Sequence, residues 1–173
     1  MPVSRLLSLM VASVFLLALS HAVRAAEDDS TVQDVITALQ NESDVYERYE
    51  LATDLYFRAC GDVEGPFFAP DLEQIDQIGG ILASTGDGAV RMYLADVLGC
   101  VGSRAESTIP QLYKALLAFI EDERLSTVDP VQLVVRGRHE GDAICTAFMT
   151  IGSNPAPEMC SSEGRFRMPR DGN

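Results

Sequence analysis

The sequence has no tryptophan, only two histidines, and half as many basic residues as acidic ones. Each shortage removes a class of function. Two histidines cannot build a multi-histidine metal centre. Thirteen Lys and Arg against 26 Asp and Glu leave a net charge of −13, the wrong sign for neutralising nucleic-acid phosphates or docking on an anionic membrane. Without tryptophan the chain lacks a frequent sugar-stacking platform, and no spacing singles out one acid pair for glycosidase chemistry. There is no G-x-S-x-G elbow, no P-loop and no alternating-oxygen calcium loop. No C-x-x-C occurs, which argues against a redox motif and against paired zinc knuckles. No cofactor is expected.

One long apolar run is present, at the start. Arg5 precedes an apolar stretch from Leu6 to Leu19, and Val23 and Ala25 place small residues at the −3 and −1 positions before Ala26. This is the pattern of a cleaved secretory signal peptide over residues 1–25, and the run is shorter than the ~20 residues of a spanning helix. The mature chain is then expected to be exported, periplasmic or secreted, without stable membrane insertion. Residues 26–160 read as one all-helical domain and 161–173 as a poorly ordered polar tail.

Four cysteines in an exported chain read as two disulfides. Of the three connectivities, Cys60–Cys100 and Cys145–Cys160 join neighbouring segments and are the expected pairs.

Apolar residues recur at helical spacing through most of the mature chain. Ser30 and Gln33 form a capping box ahead of Val32, Val35, Ile36 and Leu39. A second helix runs from Ser43 or Asp44 to Cys60, with Tyr46, Tyr49 and Tyr56 on one stripe and Gly61 as its stop. Pro70 and Asp71 open a third, with Leu72, Ile75, Ile78 and Leu82 inward. Asp87 caps a fourth that carries Val90, Leu94, Val97, Leu98 and Val101 and ends at Gly102. Ser103 and Glu106 read as a capping box for a long helix to Arg124. Val131–Val135 reads as a short apolar segment, and a last helix as His139–Ile151. Its His139, Glu140 and Asp142 are read as a polar helix N-terminus rather than as catalytic groups beside Cys145.

Residues 93–103 align with 143–153 at an offset of 50, each ending aliphatic-Gly-Ser, and a fainter copy ends at Cys60-Gly61. Within 87–116, Asp87, Val90-Arg91, Leu98-Gly99-Cys100-Val101-Gly102 and Ile109-Pro110 resemble a HEAT-like repeat, with a weaker copy over 139–160. The resemblance implies a short helical repeat array that binds a partner; the alternative architecture is an irregular bundle of five to seven helices, also disulfide-stabilised.

Charge is uneven. Residues 27–76 hold fourteen acids against Arg48 and Arg58. The expected function is a non-catalytic protein-binding scaffold for a partner with a basic surface, of the inhibitor or immunity type. Its candidate contacts are Glu42, Asp44, Glu47, Glu50 and Asp54, with Phe67 and Phe68 as apolar anchors. A small secreted hydrolase or ligand-binding enzyme using its acids, and a structural component of an envelope assembly, are the alternatives. N-terminal sequencing of the exported protein is expected to begin at Ala26 or within a few residues; retention of Met1 in a membrane fraction would overturn the signal.

Overall fold

Carboxylates start three of the described helices and glycines end three. In a computed structural model describing residues 31–61, 69–125, 130–152 and 157–167, α1 spans Val32–Asn41, α2 Val45–Cys60, α3 Leu72–Ser84, α4 Gly88–Val101, α5 Ile109–Leu125 and α6 Pro130–Ile151. Asp44 accepts the backbone N–H groups of Tyr46 and Glu47, and Asp87 those of Ala89 and Val90. Asp71 and Gln74 form a reciprocal capping box at α3. These acceptors satisfy donors that a first turn leaves bare and put negative charge at the positive end of each helix dipole. Gly61, Gly102 and Gly152 follow α2, α4 and α6 with φ of 82°, 66° and 88°, a region that glycine enters without steric cost. They are the three glycines that mark the ends of the sequence copies.

The described residues form six α-helices and a 3-10 segment, Gly102–Thr108, with no strand among them. The helices lie in two layers. Arg91 meets Glu140 near the beginning of α4, while Gly99 lies against Ala147 and Thr150 near the ends of α4 and α6. Tyr49 meets Tyr93, and Cys60 is bonded to Cys100. Thus α2, α4 and α6 run parallel, with α4 in the middle. In the other layer Gln33 of α1 donates to Gln77 of α3 at 3.0 Å, and Gly79 of α3 faces Thr108 and Gln111 at the start of α5. Each element of one layer packs on its sequence neighbour in the other, so α1–α2, α3–α4 and α5–α6 stack as successive helix pairs.

Between the layers lies one core that includes Ile36, Leu39, Leu55, Ile75, Ile78, Leu82, Leu94, Leu98, Leu112, Leu116, Ile144 and Phe148, all fully buried. Among the described residues the expected apolar phases agree with it, with Val101 half-buried at its edge and Leu72 the exception. Leu72, the first residue of α3, is 64% exposed. Both expected disulfides form, with Cα separations of 5.5 and 5.2 Å.

Three local expectations are corrected. The capping box expected of Ser103 and Glu106 is absent: Val101 stands at the start of the 3-10 segment, without a side-chain cap, and α5 begins only at Ile109. Gly102 turns the chain, and the buried Thr108 hydroxyl closes onto the Ala105 carbonyl. The second correction concerns α6, which is continuous from Pro130 to Ile151 rather than restarting at His139. Three residues of the polar stretch 136–142 meet partners in other segments. Glu140 reaches α4, and Gly141 leaves room for Phe119 and Phe166, each of which a Cβ there would meet at 2.8 Å. Third, residues 161–167, expected in a poorly ordered tail, pack. Phe166 stacks edge-on with Phe119 at 5.0 Å, and its N–H donates to Asp142. Ser161 and Arg165 close a turn around Gly164, and Cys160 ties the segment to α6. One aromatic ring in a polar stretch, with a neighbouring disulfide, is enough to anchor it.

Arg91 joins the pairs. Its side chain is 3% exposed; Nε donates to Glu140 and Nη2 to Asp122, both at 2.5 Å, and Nη1 donates to the Thr85 carbonyl at 3.1 Å. Burial pushes the guanidinium pKa down, but the hydrogen bonds and charges of Glu140 and Asp122 outweigh it and hold Arg91 above its ordinary value. Burial, aided by the Asp122 and Glu123 charges, pushes the Glu140 carboxyl up against the pull of Arg91. A Cβ on Gly88 would stand 2.4 Å from Glu140 Oε2, so glycine is required there. Glu140→Ala is expected to destabilise by about 3–5 kcal/mol, because Arg91 stays buried with only the exposed Asp122 opposite it. The double change Arg91→Met, Glu140→Leu is expected to cost less than that single change. Urea unfolding midpoints of both variants check this, and a milder effect for Glu140→Ala than for the pair would refute it.

Candidate functional site

Two parallel helices expose a seam, and the α2–α4 seam is lined with tyrosines. Ala52, Leu55 and Ala59 are the buried residues of α2, which rotates its tyrosines off the core and onto the boundary with α4. Tyr49 and Tyr93 meet edge-on at 5.6 Å with hydroxyls 3.5 Å apart, and Tyr56 lies 5.6 Å from the other side of Tyr93. All three are half-buried, with phenol tips able to hydrogen-bond. The hydrogen bond to Tyr49, then burial, raises the Tyr93 phenol pKa. At the N-terminal end of the seam Val45 and Tyr46 are 66% and 67% exposed. They line an open groove of about 700 Å³ with Tyr49, Asp87 and Ala89. The Glu50 charge and hydrogen bond raise the Tyr46 phenol.

Toward the C-terminal end sits Asp96, one turn beyond Tyr93 on α4. Burial raises its pKa from 3.8 to about 6. Its carboxylate accepts no hydrogen bond and makes no ion pair among the described residues. The seam closes at the Cys60–Cys100 disulfide.

The residues singled out from sequence fare unequally. Glu42 accepts the N–H groups of Ser43 and Asp44, and Asp44 caps α2, so both hold the α1–α2 turn. Asp54 binds Arg58 through both oxygens at 2.9 and 3.0 Å. Glu47 and Glu50 are exposed and flank Tyr46 on the helix surface. Phe67 and Phe68 lie outside the described residues. Glu140 and Asp142 do not sit at a helix N-terminus: both are well inside α6, where Glu140 pairs with Arg91 and Asp142 accepts from Phe166. Thr85-Gly86-Asp87-Gly88 is an inter-helix turn whose aspartate caps α4.

Sequence reasoning put Tyr46, Tyr49 and Tyr56 on one stripe without giving it a role, and passed over Asp96. The available signal was the residue type. Tyrosines three and seven positions apart, beside a separate Ala-Leu-Ala face, point to a boundary position that is half apolar and half wet.

No group of three or more His, Cys, Asp or Glu among the described residues is arranged to hold a metal ion. The chain matches no protein-family model, and no curated protein or solved structure is significantly similar to it.

The folded carboxyl of Asp96 binds its proton more tightly than an unfolded one, so the folded state holds more protons between the two pKa values. Its contribution is therefore intact below about pH 4 and is lost as the pH rises through about 6. Asp96→Asn is expected to stabilise the protein at about pH 8 by roughly 1 kcal/mol, a figure reduced because the group is part-exposed. The difference from the parent is expected to vanish near pH 4. Urea unfolding at the two pH values measures it, and a pH-independent difference would refute the assignment.

Proposed function

We propose that this chain is an exported, non-catalytic scaffold, a short HEAT-like stack of three helix pairs, that binds a protein with a basic surface through the α2–α4 seam. Within that class we propose an inhibitor or immunity-type role toward a secreted or periplasmic enzyme. The observation that carries the reading is the exposed pair Val45 and Tyr46, with Glu47 and Glu50 beside Tyr46 and Tyr49, Tyr56 and Tyr93 along the same seam. Rigid aromatic groups with polar tips are the residues that dominate protein interfaces, and surrounding carboxylates speed encounter with a cationic partner. Burial gains little from this arrangement: Glu47 and Glu50 repel each other, and Tyr46 leaves most of its ring in water.

Three further observations support the reading. Both disulfides suit an oxidising compartment. Among the described residues no helix is long and apolar enough to cross a membrane. The acidic excess of residues 27–76 lies on the same part of the chain as the seam's exposed end.

The test is association of residues 26–173 with cationic secreted enzymes of the same source, followed by stopped-flow and by inhibition of the enzyme. Glu47→Gln with Glu50→Gln is expected to slow association several-fold at low salt and flatten its salt dependence, as the Debye length falls from ~10 Å at 0.1 M to ~3 Å at 1 M. Tyr46→Ala is expected to act on dissociation, weakening the complex by about 2 kcal/mol. A bound partner indifferent to salt and to both variants would overturn the reading.

A further inference from the structure

We propose that the C-terminal half of the α2–α4 seam, bounded by Tyr56, Tyr93 and Asp96, is a receptor for a single arginine side chain presented by the partner. The inference rests on the protein-binding reading above and specifies the chemistry of its anchor.

Three observations converge on it. Tyr56 and Tyr93 are half-buried rings in contact at 5.6 Å with a 56° tilt, so each keeps part of its ring within reach of solvent. A guanidinium is flat, weakly hydrated and attracted to the negative face of such rings. Asp96 stands three residues from Tyr93 on the same helix face, and its charge is felt at the Tyr93 phenol. Half-buried, it accepts no hydrogen bond among the described residues, so an incoming cation can add a charge-assisted one.

The third observation is that the chain's own nearby cations are engaged elsewhere. On α2, Arg48 donates to the Glu42 carbonyl and to Thr85 Oγ1, and Arg58 is held by Asp54. On α4, Arg91 is committed to Glu140, Asp122 and Thr85. Among the described residues, Asp96 is thus a carboxylate that folding partly dehydrates and that no cation neutralises. An arginine supplied from outside completes the set of contacts: Asp96 takes the charge, and the two rings take the plane.

The probe is N-acetyl-arginine amide, with N-acetyl-citrulline amide as its neutral isostere, titrated into residues 26–173 while tyrosine ring resonances are followed by NMR. Saturable shifts of Tyr56 and Tyr93 with the arginine compound, and none with citrulline, are expected. Asp96→Asn is expected to weaken the arginine probe about tenfold, the size of a lost hydrogen bond to a charged group. Absence of saturation, equal binding of citrulline, or an Asp96→Asn variant that is folded and binds as tightly would each overturn the inference. These outcomes are separate from the preceding test. If the receptor fails while salt-dependent protein binding persists, only the anchor is wrong; if the arginine probe binds and no protein partner does, only the protein-binding reading falls.

Discussion

A buried arginine ties the second helix pair to the third. Arg91 leaves α4 on the side away from the tyrosine seam and reaches α5 through Asp122, α6 through Glu140, and the α3–α4 turn through the Thr85 carbonyl. Such a group is costly to remove from water, and the cost is met only where several acceptors converge. The geometry therefore constrains its neighbours tightly. Gly88 must lack a side chain, because Glu140 occupies the space that a Cβ would need. Helix α6 must run without a break past Glu140, so the polar stretch 136–142 is helical despite its composition. The parallel setting of α4 and α6 then brings Gly99 against Ala147 and Thr150 at the far end.

The opposite flank of α4 carries the exposed chemistry. There the contact with α2 is built from tyrosines instead of aliphatic residues, and it is closed at one end by a disulfide. Rings with hydroxyl tips let the seam be packed and wet at once. The middle helix thus has two unlike sides, one saturated with its own ion pairs and one with an acid left over. The proposed binding function grows from this asymmetry: the side that meets its own needs stabilises the fold, and the side that does not is free to meet a partner's.

Much of the fold was legible in the chain. Asp44, Asp71 and Asp87 marked helix starts, Gly61, Gly102 and Gly152 marked helix ends, and both disulfide pairs followed from cysteine count and proximity of segments. The candidate site was less legible. Of five acids chosen for their charge, Glu42 and Asp44 serve a turn and a cap and Asp54 serves an internal pair, while Asp96 carries the largest perturbation and drew no notice. Local pattern records which residue types are present; it does not record which of them already have partners.

That distinction separates the two levels of information in this protein. Composition, helical periodicity, capping residues and cysteine number are properties of neighbours in sequence, and they determined an all-helical, disulfide-linked chain with its core residues nearly in full. The pairing of Arg91 with Glu140, forty-nine positions away, the docking of Phe166 on Phe119, and the dehydration of Asp96 beside Tyr93 depend on which helix faces meet. Only tertiary structure decides those meetings, because charge, burial and hydrogen bonding act through space, and their energies are set by surroundings that no stretch of sequence contains.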